Sequence, residues 1–118
     1  MKTNKELKAE YLQKKFRMGV FQIKNKLNNK IFIESSTMLD TVYNRHKTQL
    51  KFNMHPNEEL QKEWNVFGEE NFVFEVLGEI KQDDETRNFK HEIKMLETLF
   101  IEELQPFGEK GYNKKTKK

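Results

Sequence analysis

From residue 89 to 104 the apolar positions Phe89, Ile93, Leu96, Phe100 and Leu104 recur at the spacing of one helical face. One carboxylate breaks that pattern. Glu97 projects between the directions of Ile101 and Leu104, whereas Glu92, Glu102 and Glu103 point elsewhere, as solvated acids should. An unpaired buried charge costs several kcal/mol, so Glu97 needs a partner, a metal ion or a water-lined cleft.

The same rhythm predicts a helix over residues 4–16, with Leu7, Tyr11, Leu12 and Phe16 on its apolar stripe. "MGVFQIKN" and "KIFIESS" alternate as strands. "KLNN" joins them, and Asn28-Asn29 tolerates the positive φ of a tight turn, which predicts a β-hairpin. Ser36 or Thr37 can cap a helix from about 38 to 52, and Asn57, after Pro56, can cap another carrying Leu60, Trp64 and Phe67. "NFVFEVLGEI" is a third strand, with Phe72, Phe74 and Val76 on one face and Glu75 on the other. "QDDETRN" is a polar loop, and Pro106 and Gly108 stop the last helix. The element order is αββααβα.

A second inward polar group lies on the helix after the hairpin. Leu39, Val42, Tyr43, His46 and Leu50 share its apolar face, which places His46 mid-stripe. A lone histidine there is ordinarily a core residue bonded to a carbonyl. Paired with an inward Glu97 on another helix, it points to a shared cleft.

Length and composition bound the possibilities. At 118 residues the chain is one domain able to bury a core, and without cysteine it has no disulfide, thiolate zinc site or thiol nucleophile. No stretch approaches a membrane span, and "MKTNKELKAEY" lacks a signal peptide's apolar region, so the expected setting is cytoplasmic and membrane-free. The formal charge of +3 conceals an asymmetry. Residues 1–56 carry 12 Lys and Arg against 4 Asp and Glu, residues 57–105 carry 5 against 14, and residues 106–118 carry 5 against 1. Basic ends around an acidic half suit either a polyanion on one face or a solvated surface with a basic tail.

In order along the chain, "GVFQIKNKLNNKIFIESS", "NRHKTQL", "HPNEELQKEW", "FGEENFVFEVL", "LETLFIEEL" and "GYN" resemble the GIY-YIG nuclease family. The resemblance covers residues 18–113, leaving 1–17 as a helical extension and 114–118 as a basic tail. It implies an α/β (α+β) fold with a three-stranded antiparallel sheet flanked by helices. It also implies a phosphodiester-cleaving centre built from two hairpin tyrosines, an arginine and a histidine on the next helix, and a glutamate holding one divalent ion, Mg²⁺ or Mn²⁺. Carried across by motif, the glutamate is Glu97, the histidine His46 and the "GYN" asparagine Asn113, while His55 and Asn57 match an "H-x-N" element.

The remaining motif positions depart from the family. Its tyrosines are Phe21 and Phe32, its arginine is Val42, and the glycine of the second motif is Glu34. Loss of a general base typically costs about 10²–10⁴ in rate, and loss of a phosphate-stabilising arginine about 10³–10⁵. Arg45, Tyr43 and His46 are the residues that could compensate. Three functions stay open: a nucleic-acid-binding protein with a degenerate centre, a rearranged metal-dependent endonuclease, and a protein-interaction module using the acidic half. In the first, Lys24, Lys26, Lys30, Arg45, Lys47 and Lys51 would contact DNA phosphates. The sequence leaves the oligomeric state open.

Overall fold

A computed structural model describes residues 17–80 and 88–115. The helix expected over 4–16, all but the last residue of the 1–17 extension that contains it, and most of the polar loop at 82–88 fall outside the described residues.

Alternation of apolar and polar residues gives β1 (Gly19–Asn25), β2 (Ile31–Ser36) and β3 (Phe72–Glu79), in an antiparallel sheet of order β2-β1-β3. The helical stripes give α1 (Leu39–Lys51), α2 (Glu58–Phe67) and α3 (Phe89–Leu104). This is the expected α+β arrangement. The hairpin turns with Asn29 at φ 64°, and the Asn29 N–H donates to Asn25 O. In the register, Phe21 faces Glu34, Ile23 faces Phe32, and Val76 and Phe74 stand beside them on β3, so these side chains share one sheet face. Against this face α1 and α2 bury Leu39, Val42, Leu50, Leu60 and Trp64, with Tyr112 completing the core. The opposite face, with Val20 and Ile33, is covered by α3 through Ile93.

Two details differ from the sequence expectations. The cap of α1 is Met38, with no side-chain capping bond, because the Ser36 hydroxyl instead accepts the Met38 N–H at 2.9 Å. Leu104 is exposed, whereas the rest of the expected stripe is buried or half-buried. Asn57 does cap α2, accepting the Leu60 N–H at 3.0 Å, and its amide also donates to Tyr112 O. Gly19 is demanded by a close approach, because a Cβ there would lie 2.0 Å from Gly78 O across the β1–β3 irregularity.

Strand β2 is a sheet edge, yet its outward backbone groups are covered in turn. Ile31 O accepts the Tyr112 N–H. Ile33 is gripped on both sides by Asn113, whose Oδ1 accepts the Ile33 N–H and whose Nδ2 donates to Ile33 O, each at 2.8 Å. The Ser35 N–H donates to Glu97. The "GYN" segment and Glu97 together stand in for a fourth strand.

Candidate functional site

His46 projects from α1 onto the sheet face that carries Phe21 and Phe32. Both phenylalanine rings meet it edge-on, with centroids 5.6 and 5.8 Å away. Its own ring nitrogens are both engaged. Nε2 lies 3.2 Å from Glu34 Oε1, and Nδ1 lies 2.7 Å from His55 Nε2. The Asn57 N–H donates to His55 Nδ1 at 3.0 Å, which fixes that nitrogen as an acceptor. For neutral imidazoles the rest follows: His55 Nε2–H donates to His46 Nδ1, and His46 Nε2–H donates to Glu34. Burial, followed by the neighbouring His46, pushes the His55 pKa down to about 4, so His55 is neutral at pH 7.

Phe21 is fully buried, and Val42 is 3% exposed against the same core. Neither can touch a solvent-borne phosphate. Glu34 is more open, with its side chain 34% exposed, and Arg45 Nη2 lies 3.5 Å from its Oε1. Tyr43 leaves this group: its ring stacks on Phe74 of β3, 4.9 Å between centroids, beside the opposite edge of the sheet. Burial pushes its hydroxyl pKa up, which makes it a poorer proton acceptor near pH 7.

Glu97 finds the partner its position demands. Its Oε2 accepts the Ser35 N–H at 2.8 Å, while Lys94 Nζ lies 3.3 Å from Oε1, with the side chain 14% exposed. Because α3 and α1 lie on opposite faces, Glu97 and His46 do not line one depression as expected. They reach the β2 edge from either side, one through the backbone of Ser35 and the other through the side chain of Glu34. Among the described residues, no group of three or more His, Asp or Glu is placed to hold a metal ion. A divalent ion at Glu97 would therefore have one protein carboxylate and complete its shell with water or phosphate, a coordination that Mg²⁺ accepts.

The six candidate phosphate contacts do not form one free surface. Lys30 pairs with Glu59 at 2.5 Å and Glu63 at 3.1 Å; Lys47 and Lys51 both reach Glu69, at 3.1 and 3.8 Å; Arg45 reaches Glu34. The basic and acidic halves of the chain thus fold partly against each other. Lys24 and Lys26 line a depression with Asn29, Val73 and Glu75, and strand alternation puts Lys24 on the face away from His46. The charge counts also conceal a buried group around Tyr112. Its hydroxyl donates to Glu63 Oε1 at 2.8 Å, and Asn25 Nδ2 reaches both the hydroxyl and Glu63.

This arrangement has close counterparts. No protein-family model matches the chain. Two solved structures of the catalytic domain of the homing endonuclease I-TevI, one of them a point mutant, superpose on it with TM-scores of 0.69 and 0.68. They are 31% and 32% identical to it, cover 83% and 81% of this chain, and are themselves covered to 93% and 96%. The chain belongs to the GIY-YIG endonuclease family. Intron-associated endonuclease 1 of Enterobacteria phage T4 is 34% identical over 97 residues. That match takes in 80% of this chain but 36% of the phage protein, so the chain spans about a third of that relative's length.

Within the GIY-YIG scaffold, the residues legible from sequence, Phe21, Phe32, His46 and Glu97, all lie on or beside β1 and β2. Asn113 is at the same edge, with both ends of its amide committed to Ile33. The link from Glu34 through His46 and His55 to Asn57 escaped sequence reasoning, because no local pattern pairs residues on a strand, a helix and a loop. The "H-x-N" spacing was the available signal. Lys90, in the first turn of α3, was also missed.

Proposed function

We propose that this GIY-YIG protein binds nucleic acid and that its catalytic centre has lost the family's standard proton-transfer and phosphate-stabilising groups. One observation carries the reading. His46 is flanked by two phenylalanines without hydroxyls, and both its ring nitrogens are tied up by Glu34 and His55. A water positioned here meets no hydroxyl and no free imidazole nitrogen to take its proton. The position of the family's arginine holds a buried valine. Glu97 remains as the residue that would hold Mg²⁺ or Mn²⁺, whose bound charge would stabilise a leaving oxygen. The relatives are named as endonucleases, which favours DNA as the partner.

The alternative is a rearranged endonuclease. What favours it is Glu34, a partly exposed carboxylate held beside His46 and Arg45. Plasmid and branched DNA incubated with Mg²⁺ or Mn²⁺, comparing wild type with Glu97→Gln, separates the two. Binding without cutting is expected. Brisk cutting abolished by Glu97→Gln would establish the alternative, and absence of any DNA binding at low salt would remove both in favour of a protein-interaction role.

A further inference from the structure

At the β2 edge, beside Glu34 but outside the histidine group, lies a cavity of about 300 Å³ lined by Ser35, Ser36, Thr37, Arg45, Lys90 and Ile93. We infer that this cavity is a phosphate-binding pocket that seats one phosphodiester of a nucleic-acid backbone. The inference deepens the nucleic-acid reading proposed above and rests on it for the identity of the ligand.

Two cationic side chains converge there from different helices. Arg45 comes from the second turn of α1 and Lys90 from the first turn of α3. Ser35, Ser36 and Thr37 supply three hydroxyls in a row, immediately before α1 begins. α3 reaches the cavity through its first turn, at Lys90, and α1 through Arg45. The floor is Ile93, buried to 4% exposure, which excludes water from one side.

The nearby acids are each partly paired. Glu34 is held by His46 and Arg45, and Glu97 by the Ser35 N–H and Lys94. The Arg45 side chain is 63% exposed and its contact with Glu34, at 3.5 Å, is long. It can turn to a phosphate with little lost, since exposed ion pairs are worth ~1 kcal/mol or less. A volume of about 300 Å³ is at the small end of ligand sites, which run from about 300 to 1,000 Å³. It has room for a phosphate group, and its charged and hydroxyl lining matches phosphate oxygens. A guanidinium also matches phosphate oxygens bidentately. The position of the family's phosphate-binding arginine is buried Val42, so this pocket recruits different side chains.

The test uses the full chain and two probes. Inorganic phosphate titrated into ¹⁵N-labelled protein should shift the amides of Ser36, Thr37 and Lys90, and should not do so in Arg45→Ala/Lys90→Ala. Duplex DNA affinity should fall roughly threefold to tenfold for each single change, with the salt slope reduced by ~1 each, while Lys62→Ala leaves both unaltered. If the double variant binds DNA as tightly as wild type, the pocket assignment is overturned and the nucleic-acid reading stands. If wild type binds no DNA at low salt, the nucleic-acid reading falls and the phosphate titration decides: localised shifts support an anion pocket, and their absence overturns it.

Discussion

His46 and His55 share one hydrogen bond of 2.7 Å, in which His55 is the donor while both rings are neutral, because the Asn57 N–H already occupies the other His55 nitrogen. Protonating His55 would leave an N–H facing the Asn57 N–H, inside a site that burial already makes hostile to charge. Burial, followed by the neighbouring His46, lowers its pKa from 6.5 to about 4. The unfolded chain therefore binds the proton first as pH drops. His55's contribution to stability is complete above pH 6.5 and is lost as pH falls towards 4. The shift corresponds to at most about 3 kcal/mol. Urea denaturation at pH 7.5 and 5.0 should show a loss in wild type that is smaller in His55→Gln; equal losses in the two proteins would remove this role.

The hairpin, the three described helices and the inward direction of both His46 and Glu97 were legible because each follows from local periodicity. Asn29 adopting positive φ and Asn57 capping α2 are likewise written in single residues. What Glu97 meets was not legible. Its partner is a backbone N–H exposed only because β2 is an edge strand, and edge status is set by how β3 pairs with β1. The charge asymmetry misled for a related reason. Lys30, Lys47 and Lys51 lie far along the chain from Glu63 and Glu69, and only the tertiary fold turns a basic half and an acidic half into ion pairs.

Glu97 has a structural duty separable from any metal. Glu97→Ala uncovers the Ser35 N–H at the β2 edge and should cost about 1–2 kcal/mol, seen as a lower urea midpoint with an unchanged slope. Glu97→Gln keeps a carbonyl oxygen for the Ser35 N–H and should stay within about 0.5 kcal/mol of wild type. A large loss in both variants would mean that the charge, through Lys94, carries the contribution instead.

Glu63 collects hydrogen bonds from Asn28, Lys30, Asn25 and Tyr112. Burial alone would push its pKa up, but the combined bonds from Asn28, Tyr112 and Lys30 hold it below the usual carboxylate range. Its stabilisation is therefore present above the ordinary carboxylate pKa and is lost as pH falls below it. Glu63→Ala leaves the Tyr112 hydroxyl and Asn25 without their shared acceptor and should cost about 2–4 kcal/mol in urea denaturation. Tyr112→Phe, which removes one donor and leaves Lys30 and Asn28 in place, should cost about 1 kcal/mol. A Glu63→Ala protein as stable as Tyr112→Phe would show the network to be ornamental.

Restoring the missing chemistry requires more than three side chains. Phe32→Tyr places a hydroxyl where the ring is only partly buried, so it should fold normally. Phe21→Tyr puts a hydroxyl into the core near His46, whose nitrogens are occupied, and an unmatched buried hydroxyl costs about 1–3 kcal/mol. Val42→Arg must push a guanidinium out of a position 3% exposed, at a further cost of about 1–3 kcal/mol in strain. Glu34→Gly changes this balance: it releases His46 Nε2, frees Arg45 and opens space beside β2 for a phosphate. The four changes together should therefore raise Mn²⁺-dependent plasmid nicking above wild type, although single reversions show little, because groups that act as a unit are strongly non-additive. Adding Glu97→Gln to the quadruple variant should abolish the gain. Should wild type itself already nick rapidly in a Glu97-dependent way, the phenylalanines and Glu34 have not disabled the centre, and Tyr43, Arg45 and His46 are then the residues whose removal must be measured.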